Sequence, residues 1–126
     1  MMATIQFRIC DKNNNMKMGN DKINETIFRS LGWSTVEDSP YKSCNWNKGA
    51  AYTAKPPNYA NSLDACAEFE RTIKTERDRN SYVSKLKSIY NTFAELGDID
   101  TYFLLATATP LQRCVAYLRV KGLSNE

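Results

Sequence analysis

A chain of 126 residues, 42% hydrophobic and 25% charged, is long enough to form one domain with an ordinary core that needs no metal or disulfide to stabilise it. Its 17 basic and 14 acidic side chains give a net charge of +3, an excess too small for a general nucleic-acid-binding protein. Histidine is absent, which removes the commonest general base and the commonest zinc ligand, so the composition disfavours an enzyme.

The four cysteines lie far apart and form no CxxC pair, so the sequence predicts no metal site and no cofactor. Cys66 and Cys114 fall on predicted helices among apolar neighbours and are expected to be small buried side chains. The first residues are too polar, at Gln6 and Arg8, for a signal peptide, and no apolar run has the length of a membrane span. We therefore expect a soluble protein of a reducing cytoplasm.

The first half of the chain predicts a strand, a helix and a hairpin. Residues 4–9 alternate apolar and polar side chains, as a half-buried strand does, and a polar, asparagine-rich loop follows. Apolar side chains at helical spacing predict a helix over residues 21–31. A turn at residues 47–49, flanked by aromatic side chains, predicts a short hairpin between residues 41 and 52.

A pair of helices is predicted for the middle of the chain. Two prolines precede Asn61 and Ser62, either of which can cap the first turn of a helix. The polar group at residues 78–81 is predicted to end this helix, with Ser81 capping a second one that Gly97 ends.

A strand and a helix are predicted to follow. The uncharged apolar run at residues 101–106 is typical of a buried strand. Thr109 followed by Pro110 predicts the start of a final helix, which Gly122 ends. The Asp98 and Asp100 pair is interpreted as a turn rather than a metal site. Together these elements predict a single mixed α/β domain over residues 1–126 with two or three layers.

Five short segments carry a resemblance to a known family, in the order in which they occur there. They are Ile23-Asn24-Glu25, Leu31-Gly32-Trp33, Pro57-Asn58-Tyr59, Asn61-Ser62-Leu63-Asp64-Ala65, and the closing stretch from Ala106 to Leu118. This order resembles the phage ABA sandwich family of small bacteriophage and prophage proteins. The resemblance covers about residues 21–123, so residues 1–20 form an additional N-terminal strand and loop.

This resemblance implies an α/β/α sandwich with a short antiparallel or mixed sheet, and a phage origin. A phage origin in turn implies the cytoplasm of the host bacterium as the compartment. The family carries no established catalytic residues onto this chain. It therefore adds a biological setting and no chemistry.

Aromatic and lysine side chains are interleaved between residues 41 and 59. Such a set can stack a base and hold a phosphate, or anchor a protein interface. The alternative is that these aromatics and the nearby Trp33 belong to the core, which is favoured for Trp33 and Trp46 and about equally weighted for the three tyrosines. The candidate partner-binding residues of this set are Tyr41, Lys42, Trp46, Lys48, Tyr52, Lys55 and Tyr59.

A second candidate set is basic and falls on or just after the central helix. Positive side chains there can contact the backbone of a nucleic acid in a nuclease complex. Acidic residues lie among them, so a solvated mixed face is the favoured alternative. The set comprises Arg71, Lys74, Arg77 and Arg79.

The phage resemblance and the lack of catalytic motifs predict a small non-enzymatic binding protein. The first hypothesis is an inhibitor of a bacterial defence nuclease, of the anti-CRISPR type, that occupies its target sterically. The host defence protein, for example a CRISPR effector, is then the partner, with nucleic acid bound only weakly or indirectly and no membrane. One alternative is an anti-defence protein that sequesters a nucleotide signal, and another is a structural or regulatory phage accessory protein.

Overall fold

The last helix is the element against which three other helices and the 3-10 turn pack. The computed structural model describes residues 19–94 and 100–123, and its elements follow in chain order: α1 Asn20–Ser30, β1 Ser34–Thr35, β2 Trp46–Lys48, β3 Ala51–Thr53, a 3-10 turn Tyr59–Asn61, α2 Leu63–Glu70, α3 Glu76–Ala94, α4 Thr101–Thr107 and α5 Pro110–Val120. Helix α5 contacts α1, α2, α3 and the 3-10 turn. Six consecutive residues of α5, 113–118, are buried, as expected of a helix enclosed by neighbours.

The structure confirms a small α/β domain with an antiparallel sheet. The strands are ordered β1-β2-β3, and both pairs run antiparallel. Strands β2 and β3 form the predicted hairpin, with Trp46 opposite Thr53, and Gly49 at its turn has a φ of +60°, which suits glycine. Strand β1 has no counterpart among the predicted elements. The predicted strand at residues 4–9, the loop after it and the helix end at Gly97 lie outside the described residues.

Two predicted helix starts are confirmed by their capping contacts. The Ser62 hydroxyl accepts a hydrogen bond from the Ala65 amide at 3.1 Å. At the start of α5, the Thr109 hydroxyl accepts from the Gln112 amide at 3.1 Å, while the Gln112 side chain accepts from the Thr109 amide at 2.9 Å. This reciprocal arrangement satisfies two amide groups at a helix end that would otherwise lack partners.

The predicted boundary between the middle helices is wrong. Helix α2 ends at Glu70, and residues 78–81 lie inside α3. The reason is a cap at Thr75, whose hydroxyl accepts a hydrogen bond from the Asp78 amide at 3.1 Å. Because Thr75 starts α3, Ser81 falls within the helix and caps nothing.

The predicted buried strand at residues 101–106 is also wrong, since these residues belong to helix α4. The Asp100 carboxylate accepts a hydrogen bond from the Phe103 amide at 3.1 Å and so caps the helix. A short apolar run without charges fits a strand and a helix equally well. Here the acidic residue just before the run determines the outcome.

Aromatic rings join the sheet to the helices. The Phe28 ring lies 4.6 Å from Trp33 and 5.3 Å from Trp46, measured between centroids. Ring pairs at these separations contribute about 0.5–1.5 kcal/mol beyond the area they bury.

In the part of the chain that the structure describes, no helix has both the length and the apolar character that a membrane span needs.

Candidate binding surfaces

Two of the candidate partner-binding residues belong to the core. Tyr59 is fully buried, and its hydroxyl donates a hydrogen bond to Glu68 Oε1 at 2.8 Å. Trp46 is 7% exposed and packs on Phe28, with the Arg29 guanidinium 4.8 Å above its ring. The expectation that these two rings contact a partner is therefore corrected, because neither presents a surface to one.

The other members of that set lie at the surface. Tyr41 is 56% exposed, and its ring lies 5.1 Å from that of the half-buried Tyr52. Lys42, Lys48 and Lys55 are exposed. A pair of tyrosine rings, with Tyr52 in the hairpin, thus lies at the surface, and the three lysines of the set are exposed as well.

The structure separates the basic set into different places. Arg71, Lys74, Arg77 and Arg79 are all exposed. Arg71 is the C-cap of α2, whereas Arg79 reaches back from α3 and donates a hydrogen bond from Nε to the Ile73 carbonyl at 3.2 Å. Arg71 and Arg79 consequently line two different cavities.

One cavity combines members of both candidate sets. A cleft of about 500 Å³, called the cationic cleft below, lies where α1, α2 and α5 end. Its charged residues are Lys48 from the hairpin, Arg71, Lys121 and Glu68, and its other lining residues are Ser30, Leu31, Trp33, Thr72 and Tyr117. Lys121 was missed from the sequence, although its position just before Gly122 marks it as a residue at a helix end.

A larger neighbouring cavity is lined by amides and carboxylates. This polar cavity has a volume of about 990 Å³ and shares Trp33 and Glu68 with the cationic cleft. Its polar lining residues are Asn20, Asp21, Asn24, Glu25, Thr53, Lys55, Asn58 and Asn61. The two cavities therefore meet at Trp33 and Glu68.

Helix α4 carries a surface that the sequence analysis did not predict. Tyr102 is 85% exposed and Phe103 is 52% exposed, and Leu105 is also exposed. No residue of α4 is charged. Leu105 lines a further cavity of about 400 Å³ together with Arg79, so a basic group lies beside this apolar surface.

A buried polar network around Arg113 connects α4 and α5 to the middle helices α2 and α3. Arg113 donates from Nη1 to Glu70 Oε2 at 3.2 Å, from Nε to the Ala108 carbonyl at 3.0 Å, and from Nη2 to the Leu105 carbonyl. The Tyr82 hydroxyl donates to the same Glu70 oxygen at 2.5 Å. Since these donors and acceptors satisfy one another, the network is structural and is not an open site.

The two buried thiols also have structural surroundings. Cys66 and Cys114 are free and buried, as predicted. Burial, and then a hydrogen bond with Cys66, raise the pKa of the Cys114 thiol well above its usual value. A protonated, enclosed thiol is a poor nucleophile.

Alkaline pH is expected to destabilise the fold through two tyrosines. Burial, followed by the hydrogen bond each hydroxyl donates to a carboxylate, raises the pKa of Tyr59 and Tyr82 well above the usual value. The unfolded chain releases these protons near pH 10, where the folded chain retains them. Because the folded state then binds more protons, the free energy of unfolding falls as pH rises above about 10.

Urea titrations between about pH 8 and pH 11 measure this effect. Tyr82→Phe removes one titrating group and should give a shallower decline with pH. Tyr102→Phe is the control, because that ring lies in solvent. An equally steep decline in Tyr82→Phe and in wild type would contradict the prediction.

Among the described residues, no three His, Cys, Asp or Glu side chains are grouped so as to hold a metal ion. A scan against protein-family models, a search of curated proteins and a search of solved structures each found no match to this chain.

Proposed function

We propose that this chain is a non-enzymatic, phage-encoded protein that binds a bacterial defence nuclease and inhibits it by steric occupation. The observation that carries the proposal is the apolar surface of α4, where Tyr102 and Phe103 project into solvent from a helix without charges. Exposed apolar patches on small proteins mark interaction sites, and aromatic side chains provide much of the energy of protein interfaces. The phage origin and the host cytoplasm rest on the resemblance described above.

The neighbouring charge supports an acidic partner surface. Arg79 lies beside Leu105 at the edge of the α4 surface. Arginine next to aromatic residues is typical of interface hot spots, and it pairs well with carboxylates. Nucleases that use metal ions carry carboxylates at their catalytic centres. An inhibitor seated there excludes the nucleic acid substrate, which is the proposed mechanism.

Inhibition of purified, guide-loaded CRISPR effectors tests this proposal in a target-cleavage assay. The wild-type chain should inhibit one of them at near-stoichiometric concentration. The double variant Tyr102→Asp/Phe103→Asp should inhibit at least about tenfold less well, because charge is then forced into an apolar contact.

Leu63→Ala is the matched control, since Leu63 is an exposed apolar side chain on α2. Its inhibition should equal that of the wild type. Unchanged inhibition by the double variant, or no inhibition of any effector tested, would contradict the proposal.

A second candidate function is sequestration of a nucleotide signal. The specific observation in its favour is the cationic cleft, in which Lys48, Arg71 and Lys121 lie around one cavity beside Trp33. Its volume of about 500 Å³ falls within the range of small-molecule sites.

A further inference from the structure

We propose that the cationic cleft binds the phosphate of a nucleotide, and that the polar cavity across Trp33 holds a base with an exocyclic amino group. This inference rests on the second candidate function and specifies its ligand. It does not depend on whether the chain inhibits a nuclease, because α4 lines neither of these two cavities.

The phosphate end is defined by cations from three separate elements. Lys48 comes from β2, Arg71 follows α2 and Lys121 follows α5. Among residues 19–94 and 100–123, the side chains of Lys48 and Arg71 have no hydrogen-bond or ion-pair partner. Guanidinium and ammonium groups held together in this way complement a phosphate.

Local backbone geometry directs Lys48 into the cleft. Gly32 has a φ of +104°, a conformation that suits glycine. A Cβ atom at Gly32 would lie 3.2 Å from Lys48 Cε, so the lysine side chain packs where another residue's side chain would be. The glycine that ends α1 thus also makes room for the lysine, which reduces the side-chain freedom lost when a ligand binds.

Backbone amides already serve as donors to a carbonyl at each of the three helix ends in the cleft. Three helices end here, and the C-terminal end of a helix carries a partial negative charge. The carbonyls of Ile27, Ala67 and Tyr117 already accept backbone amide hydrogens at 3.0–3.1 Å. These three carbonyls therefore need no lysine or arginine side chain as their hydrogen-bond donor.

The opposite end of the groove fits a base rather than a second phosphate. The charged side chains of this cavity are Asp21, Glu25, Glu68 and Lys55, so its lining has an excess of negative charge that disfavours a second phosphate. The carboxylates of Asp21 and Glu25 can accept hydrogen bonds from amino groups of a base. Asn24 is already engaged, because its side chain accepts from the Ala60 amide at 3.0 Å and donates to Asn58 Oδ1 at 3.2 Å. The carboxylates thus determine which base binds, and the hydrogen bonds of Asn24 hold that side of the polar cavity in place.

Trp33 lies between the phosphate end and the base end of the proposed site. Its ring stacks on Phe28 with an interplanar angle of 11°, and it lines both cavities. Because Phe28 covers one face of the indole, a base can stack only on the other face, where stacking contributes about 1–3 kcal/mol in single-stranded nucleic-acid complexes. A mononucleotide bound across the indole would place its phosphate and base at the two ends of the groove.

Isothermal titration calorimetry of the full chain with nucleoside 5′-monophosphates tests the inference. We expect AMP, GMP or CMP to bind, UMP to bind at least about tenfold more weakly, and inorganic phosphate and the nucleosides to bind more weakly still. Arg71→Ala and Lys48→Ala should each weaken nucleotide binding about tenfold, as expected for loss of a charge-assisted hydrogen bond. Lys85→Ala, an exposed lysine on α3, is the matched control and should keep the wild-type affinity.

Thermal unfolding of each variant separates loss of binding from loss of fold. If no mononucleotide gives a measurable heat of binding at about 10 mM, the inference is overturned, because a functional nucleotide site should be occupied well below that concentration. Equal affinity for phosphate and mononucleotides would overturn the assignment of the base. The Tyr102→Asp/Phe103→Asp variant should keep its nucleotide affinity, so failure of nuclease inhibition and failure of nucleotide binding are distinguishable.

Discussion

Arg113→Ala is expected to lower the free energy of unfolding by about 3 kcal/mol, measured by urea denaturation. The guanidinium is buried and joins Glu70 to the Leu105 and Ala108 carbonyls. Its removal leaves two carbonyls at the end of α4 without their donor and a carboxylate without its counter-charge. Glu70 is 28% exposed, so water compensates part of the loss and the effect stays below that of a fully buried pair.

The same substitution should loosen α4 more than the rest of the fold. Two of the three Arg113 contacts are with carbonyls at or just after the end of that helix. Amide hydrogen exchange should therefore accelerate in α4 before it does in α5. Arg77→Ala, at an exposed position, is the control and should change the free energy of unfolding by less than about 0.5 kcal/mol.

A double-mutant cycle with Glu70→Ala tests whether the ion pair is the source of the effect. The combined loss should be smaller than the sum of the single losses, because the second substitution removes a partner that is already unpaired. Strict additivity, or a loss in Arg113→Ala no larger than in Arg77→Ala, would show that the network does not stabilise the fold.

Helix starts were predictable where the capping residue has no competitor. Thr109 followed by Pro110 provides both a side-chain acceptor and a fixed φ, and the structure has the helix start there. Ser81 has the chemistry of a cap but competes with Thr75, six residues earlier, which starts α3. A local pattern identifies both as capable of capping, and it does not choose between them.

The α4 surface is not predictable from the sequence, because an uncharged apolar run favours burial of all its side chains. Residues 101–106 carry no charge, and a chain that buries them all is the ordinary expectation. In the structure Leu104 is buried while Tyr102 and Phe103 are exposed. Helix α4 contacts α3, and Leu104 is its buried residue, so which side chains of the run are buried depends on tertiary contacts.

Single residues of the cationic cleft were predictable from the sequence, but the cleft that they form together was not. Lys48 and Arg71 were candidates in separate sets, each for a local reason, and Lys121 was not a candidate. The cleft exists because three helices end at one place and the hairpin lies beside them. No spacing in the sequence encodes that convergence, since the three residues belong to elements joined only by tertiary packing.

Tyr117→Ala is expected to lower the free energy of unfolding by about 3–5 kcal/mol, as large core truncations do. Tyr117 is 1% exposed, its ring lies 4.5 Å from Phe69, and its hydroxyl lies 2.8 Å from Ser30 Oγ in a shared hydrogen bond. Tyr117→Phe keeps the ring and loses only that hydrogen bond, so its expected cost is about 1 kcal/mol.

The substitutions Tyr117→Ala and Tyr117→Phe also distinguish an effect on stability from an effect on binding at the proposed phosphate site. Tyr117 lines the cationic cleft, and Lys121 Nζ lies 5.8 Å from the centre of its ring. Because Tyr117→Phe retains the aromatic face beneath Lys121, it should bind a mononucleotide with wild-type affinity while being less stable. Urea denaturation and calorimetry on the same samples measure both quantities. A loss of affinity in Tyr117→Phe would mean that the hydroxyl takes part in binding and that Ser30 releases it to the ligand.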